Sequence, residues 1–124
     1  MKVFLGVGIL ILVVVGLSVW GMNEDTSTGF DVTRTTYFYG EECPHCQRVA
    51  EFLAANNIAE KVAFEKLEVW HNTQHARQMN EAVKICQLSP QDVGVPMIFE
   101  NGTCHVGEPD VMKFFKTKAG IQTE

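Results

Sequence analysis

An unbroken apolar run at the start of the chain limits what the remainder can fold into. Residues 3–20 contain no charged side chain and read VFLGVGILILVVVGLSVW. As a helix this run would be roughly 27 Å long, which is close to the thickness of the hydrocarbon core of a bilayer. A helix that is apolar on every side has no polar face to turn towards water. We therefore expect residues 1–22 to form an N-terminal transmembrane helix that anchors the protein in a membrane.

A cleaved signal peptide is the alternative interpretation of this run. Signal peptides have a shorter apolar core and end in small residues, whereas this run ends at Trp20, and tryptophan is typical of membrane interfaces. Lys2 is the only charged side chain before the run, and positive charge tends to stay on the cytoplasmic side. Both interpretations place the following residues on the periplasmic or extracellular side.

The residues after the run indicate one small domain. Residues 23–34 are polar and poor in strand-forming side chains, so they are predicted to be a tether, and residues 35–120 are predicted to fold. Fifteen acidic and nine basic residues follow the run without any basic cluster, which argues against a nucleic-acid partner. We expect the protein to be a monomer.

Apolar periodicity and turn residues predict the order β-α-β-α-β-β-α. Strand-forming residues end at Gly40, and Pro44 then fits the first turn of a helix. The Asn-Gly pair at 101–102 predicts a hairpin between the last two strands, because both residues tolerate positive φ. Trp70, Phe114 and Phe115 are expected in or near the core. The predicted strands are residues 35–39, 62–69, 97–99 and 104–106, and helices are predicted to begin near Pro44, Asn72 and Pro109.

The sequence Cys43-Pro44-His45-Cys46 stands where the first strand gives way to the first helix. Free N–H groups and the helix dipole favour an anion at this position, and a thiolate is the nucleophile of disulfide exchange. Cys46 follows one turn later, within reach of the Cys43 sulfur. A positive charge on His45 would favour the reduced form and so make the disulfide a better oxidant. The motif therefore predicts a redox-active pair.

Other uses of two cysteines at this spacing remain open. Haem attachment needs histidine directly after the second cysteine, and Gln47 stands there. The spacing to Cys86 and Cys104 matches no zinc pattern. Binding or delivery of a metal such as copper through Cys43 and Cys46, a purely structural disulfide, or a non-catalytic adaptor with a partner docked beside Pro96 are the alternatives. His71 and His75 lie four residues apart, which can hold a metal, although a solvated helix face is the expectation.

Three segments resemble the thioredoxin-fold superfamily. YFYGEECPHCQ is similar to the first strand and active-site helix of these proteins, and VGVPMIFENG is similar to their second signature. CHVGEPDVMKFF resembles the last part of glutaredoxins, whereas the Pro-His pair between the cysteines is that of DsbA-type oxidants. The resemblance covers residues 35–118. It implies an α/β fold, thioredoxin-like and of the glutaredoxin type, with a central mixed sheet flanked by helices.

The resemblance also implies residue roles. Cys43 matches the attacking cysteine, Cys46 the resolving cysteine, and Pro96 the cis-proline that lies against the active site. Val95 would offer its backbone to an extended substrate peptide. The implied activity is a protein thiol–disulfide oxidoreductase that exchanges disulfides in exported proteins, with an oxidant or isomerase favoured over a reductase. It needs no separate cofactor and no metal, and it implies a possible redox partner in the membrane.

Cys86 and Cys104 complete the set of four cysteines. In a glutaredoxin-like layout both lie on the side away from Cys43, so a structural disulfide between them is expected, with two buried inert thiols or a second redox relay as alternatives. The glutathione-binding turn of glutaredoxins is matched only in part, by Gly107, Glu108 and Asp110. Glutathione use is therefore left open.

Overall fold

The computed structural model describes residues 29–122, which form a four-stranded sheet with four helices. The strands are β1 (Thr36–Tyr39), β2 (Glu65–Glu68), β3 (Met97–Glu100) and β4 (Thr103–Val106). The helices are α1 (Pro44–Ala55), α2 (Ile58–Lys61), α3 (Thr73–Ile85) and α4 (Glu108–Ala119). Within the described range no helix is both long and apolar enough to cross a bilayer. The expected anchor at residues 3–20 lies outside that range.

The sheet is mixed, and its strand order is β2-β1-β3-β4. β1 runs parallel to β2 and antiparallel to β3, with Tyr37 opposite both Lys66 and Ile98. β3 and β4 form an antiparallel hairpin across Asn101 and Gly102, both at positive φ. This connectivity, with helices on both faces, confirms the thioredoxin-like fold and the predicted hairpin.

Alternation along the strands divides the core between the two faces of the sheet. Tyr37 and Ile98 point to the face covered by α1, α2 and α4, where they pack with Val49, Ile58, Val111, Phe114 and Phe115. Phe38, Met97 and Phe99 point to the face covered by α3, where they pack with Leu67, Ala82 and Val83. The prediction that Phe114 and Phe115 are buried is therefore confirmed.

A disulfide ties the end of α3 to the edge strand β4. Cys86 is the C-cap of α3 and is bonded to Cys104, with 6.0 Å between their Cα atoms. The two residues are 18 positions apart in the chain. Both lie on the α3 face of the sheet, where they pack against the core cluster that contains Phe38, Leu67 and Val83. The bond therefore joins elements that the chain connects only through β3 and a long loop.

The structure differs from the sequence-based expectations at three places. The second strand is Glu65–Glu68 and so is shorter than the predicted 62–69: Val62 is the C-cap of the one-turn helix α2, and its N–H donates to the Ile58 carbonyl instead of joining the sheet. Trp70 is 52% exposed, so its expected place in the core was wrong: the chain turns directly after β2, and the indole lies over Gly40 with its outer face in solvent. In the expected tether, Phe30 packs against Phe38 and Phe99.

Candidate active site

Cys43 is the N-cap of α1, in extended backbone conformation directly before Pro44. The backbone N–H of Cys46 donates to the Cys43 sulfur at 3.3 Å, and the N–H of Gln47 donates to the Cys43 carbonyl at 2.9 Å. Pro44 has no N–H of its own, so nothing is lost by its place at the helix start. A sulfur that accepts from the first turn of a helix is well placed to carry negative charge.

Cys46 faces inward from the first turn of α1. Burial, followed by the hydrogen bond with Cys43, raises the pKa of the Cys46 thiol to about 12. Both cysteines are free thiols in this structure, and both are buried. At neutral pH Cys46 is therefore a neutral thiol. The two cysteines are therefore chemically unequal: the Cys43 sulfur accepts a hydrogen bond from the first turn of α1, whereas Cys46 keeps its proton.

The Val95–Pro96 peptide bond lies against Cys43 and is cis. The Cys43 thiol donates to the Val95 carbonyl with 3.8 Å between sulfur and oxygen. The Pro96 carbonyl accepts from the Gly107 N–H at 2.9 Å, which joins this loop to the start of α4. The fold thus brings the two sequence segments of the expected site together. Cys43 itself is only 4% exposed, so its sulfur is buried beside Val95.

A charged cluster made of His45, Arg48 and Glu108 lies beside the cysteine pair. Glu108, the first residue of α4, accepts from Arg48 Nε at 2.9 Å, and its Oε2 lies 2.8 Å from Nδ1 of His45. The hydrogen bond from Arg48, followed by that from His45, lowers the pKa of the Glu108 carboxyl to about 2. Nδ1 of His45 also lies 2.7 Å from Nη2 of Arg48. It donates to the carboxylate when it carries a proton and accepts from the guanidinium when it does not.

The Tyr37 hydroxyl is a buried polar group next to the cysteines. Tyr37 is 1% exposed, and among the residues the structure describes none makes a hydrogen bond with its hydroxyl oxygen. Burial, followed by the charges on Cys46 and Cys43, raises the pKa of the phenol above its usual range. An unsatisfied buried hydroxyl costs about 1–3 kcal/mol. This residue therefore carries a cost that phenylalanine would avoid.

A surface cavity of about 570 Å³ opens behind Cys46, between α1, β2 and the start of α3. Tyr37, Gly40 and Cys46 form part of its wall, and His71 and His75 lie at its α3 side. The Cys46 side chain therefore borders Cys43 on one side and this cavity on the other. Polar and apolar groups both line it, so water has access to this side of the site.

The two histidines at the start of α3 point to different partners. Nε2 of His71 lies 2.6 Å from a carboxylate oxygen of Glu42, and that pairing raises the pKa of His71. Nδ1 of His75 lies 2.9 Å from the Glu68 carbonyl oxygen. Ligand atoms of Glu41, Glu42 and His71 lie within 4.8 Å of one another on the exposed surface. The geometry thus separates His71 from His75 and groups it with two acidic residues.

Sequence reasoning anticipated the cysteines, His45, Val95 and Pro96, and the structure brings these residues together. It missed Arg48 and Tyr37, and it considered Glu108 only as part of a glutathione-binding turn. Arg48 carried a weak signal, since it follows His45 by three positions and so lies on the same helix face. Tyr37 carried none, because a tyrosine in a predicted strand is most simply a core residue.

No protein-family model matches the chain, and no curated protein matches its sequence. A buckwheat glutaredoxin–glutathione complex is similar in structure, with 16% identity, a TM-score of 0.49 and coverage of 76% of this chain and 77% of that one. Wheat glutaredoxin has 15% identity and a TM-score of 0.49, covering 81% of this chain and 90% of that one.

Oxidized glutaredoxin 2 from Chlamydomonas reinhardtii is also similar, with 18% identity and a TM-score of 0.44. The alignment covers 72% of this chain and 84% of that one. All three TM-scores lie below 0.5. The fold assignment therefore rests on the strand order, strand directions and register described above.

Proposed function

We propose that this chain is a protein thiol–disulfide oxidoreductase in which Cys43 attacks and Cys46 resolves. One observation carries the proposal: the Cys43 sulfur accepts from the Cys46 N–H at the start of α1, while Cys46 is held as a buried thiol of raised pKa. A metal carrier would gain nothing from such inequality, because both sulfurs bind the metal as thiolates. Disulfide exchange requires it, since one sulfur must attack first.

The exchange proceeds in two balanced steps. In the reducing direction, the Cys43 thiolate attacks a substrate disulfide, forms a mixed disulfide and releases one substrate thiolate, which takes a proton from water. Cys46 then loses its proton and attacks the Cys43 sulfur. The Cys43–Cys46 bond forms, the bond to the substrate breaks, and the second substrate sulfur leaves as a thiol. The substrate gains two electrons and the cysteine pair loses them, and the oxidising direction is the reverse.

Substrate backbone is proposed to bind beside Val95 and Pro96. The Val95 carbonyl is 3.8 Å from the Cys43 sulfur, so an extended peptide lying along this residue would present its own sulfur close to the nucleophile. The Gly107 N–H, at the start of α4, donates to the Pro96 carbonyl and holds this residue in place. Recognition through the backbone would suit varied protein substrates better than one small molecule.

The direction of exchange is proposed to favour oxidation or isomerisation. His45 lies in the first turn of α1 between the two cysteines, and a cation there stabilises the reduced form. Oε2 of Glu108 lies 2.8 Å from Nδ1 of His45. The same carboxylate also offsets that charge, and Arg48 competes for it. We therefore expect the reduction potential to depend on His45, Arg48 and Glu108 together.

The domain is proposed to act outside the cytoplasm, held to a membrane by residues 3–20. The apolar run supports an anchor, and a disulfide between Cys86 and Cys104 suits an oxidising compartment. A membrane-bound redox partner would then recycle the Cys43–Cys46 pair. Protease protection of the full-length protein in inverted and right-side-out vesicles tests this orientation, and cleavage of the domain only in inverted vesicles would overturn it.

Trapping with Cys46→Ala tests the proposed chemistry. Without Cys46 the first step still occurs but the mixed disulfide persists, so protein substrates should accumulate on Cys43 as species that a reductant releases. Cys43→Ala is the matched control, since it keeps one cysteine of the pair and removes the nucleophile. Equal trapping by both variants, or trapping by neither, would contradict the assigned roles.

A further inference from the structure

The Tyr37 hydroxyl is held in a fixed place, but in this structure it has no hydrogen-bond partner among the described residues. Its ring is held by Phe115, Tyr39 and Phe64, whose ring centroids lie 5.8, 5.8 and 6.4 Å from its own. This packing fixes where the hydroxyl points. Within the described part of the chain that hydroxyl makes no hydrogen bond, although it is fully buried. A fixed donor without an acceptor has a physical reason if the acceptor forms only during the reaction.

Cys46 is the group that can become this acceptor. Tyr37 and Cys46 line the same cavity, and the Tyr37 hydroxyl acts to lower the pKa of the Cys46 thiol against the larger effect of burial. Burial, followed by any negative charge on Cys46 or Cys43, raises the pKa of Tyr37, so the phenol keeps its proton. A neutral thiol is a weak acceptor, whereas a thiolate is a strong one. The hydroxyl thus interacts best with the form of Cys46 that attacks.

We propose that the Tyr37 hydroxyl donates a hydrogen bond to the Cys46 sulfur as it becomes a thiolate, and thereby speeds resolution of the mixed disulfide. This inference rests on the proposed function of the cysteine pair. In the assisted step the Cys46 proton passes to water in the cavity, and the thiolate attacks the Cys43 sulfur. The new disulfide forms while the substrate sulfur leaves with the bonding electrons and takes up a proton. The hydroxyl keeps its own proton throughout.

Other titratable groups share this cavity and set the background for any pH dependence. They are Tyr39, Glu41, Lys66, Glu68, His71 and His75. The Lys66 ammonium lies 4.5 Å from the centre of the Tyr39 ring, and it also favours negative charge in the cavity. Tyr39 is therefore the matched control, because it is the other tyrosine in the wall and lies on the same face of β1.

The test measures release of thionitrobenzoate by the full-length protein, with Cys43–Cys46 reduced and the other disulfide intact. One equivalent of the aromatic disulfide dithiobis(nitrobenzoate) gives two phases: attack by Cys43 and then intramolecular resolution by Cys46. Tyr37→Phe should slow the second phase about tenfold at neutral pH, the worth of one hydrogen bond to a charged group, and move its pH midpoint upward. Its first phase should not change, and Tyr39→Phe should change neither phase.

Stability separates this role from packing. Tyr37→Phe removes an unsatisfied hydroxyl, so its thermal midpoint should equal or exceed that of the unaltered protein. If the variant does not fold, 3,5-difluorotyrosine at position 37 supplies a stronger donor and should speed the second phase. An unchanged second phase, or equal slowing of both phases with a lower midpoint, overturns the inference. Absence of the first phase in the unaltered protein instead overturns the proposed function, and this inference with it.

Discussion

Removing the Cys86–Cys104 disulfide should cost a large part of the stability of the domain. Replacing both residues by alanine frees a loop of 18 positions in the unfolded chain. The chain-entropy relation for a loop of this length gives a loss of about 3 kcal/mol. For a domain of this size, that loss corresponds to a fall of roughly 12–24 °C in the unfolding midpoint. The loss in free energy of unfolding is measured by urea denaturation of the full-length protein in mild detergent, followed by circular dichroism.

The two single variants provide the control for this prediction. Because either Cys86→Ala or Cys104→Ala breaks the same bond, each should cost nearly as much as the double variant. Two sulfurs that contributed only by packing would instead give single losses that add up to the double loss. Additive losses, or a double loss below about 1 kcal/mol, would refute the view that the crosslink stabilises this small domain through its unfolded state.

Three further substitutions test local features of the structure. Gly40→Ala should displace the indole of Trp70, because an added Cβ would lie 2.4 Å from Trp70 Cδ2. Tryptophan emission should then shift to the red, and identical emission from the variant and the unaltered protein would contradict that packing. Asn72→Ala removes the N-cap of α3 and should cost about 1 kcal/mol in urea unfolding, and a loss of only a few tenths would contradict the cap. Glu108 has a folded-state pKa of about 2, lowered first by its hydrogen bond from Arg48, against about 4.3 when unfolded. The contribution of Glu108 to the free energy of unfolding is therefore present above about pH 4.3 and lost as pH falls towards 2. Glu108→Gln should make the loss of stability in that window less steep, which urea unfolding at several pH values measures. An equally steep loss would contradict the pairing with Arg48.

Local signals in the sequence accounted for most of the fold. Proline at the start of α1, asparagine at the cap of α3 and Asn-Gly in the hairpin each act within a few residues, so their effects are readable from the sequence. The burial of Trp70 was misjudged for the opposite reason. Whether an indole is buried depends on what lies above it, and here it rests on Gly40, thirty positions earlier in the chain.

The candidate site divides along the same line. The cysteines and Pro96 were predictable because their motifs are compact and chemically distinctive. The pairing of Arg48 with Glu108 joins residues 60 positions apart, and the unpaired hydroxyl of Tyr37 is defined by what surrounds it. Neither can be read from local patterning, because both depend on the packing of α1 and α4 against one face of the sheet.

The most direct test of the central claim is a redox titration of the full-length protein. The protein is equilibrated in glutathione and dithiothreitol buffers of defined potential, its thiols are alkylated, and the Cys43–Cys46 peptides are quantified by mass. We expect a reversible two-electron transition of this pair, distinct from that of Cys86 and Cys104. A midpoint potential of roughly −120 to −180 mV would support an oxidant or isomerase, and one of roughly −270 mV would support a reductase. A pair that exchanges with neither buffer would contradict the assignment of disulfide exchange to this site.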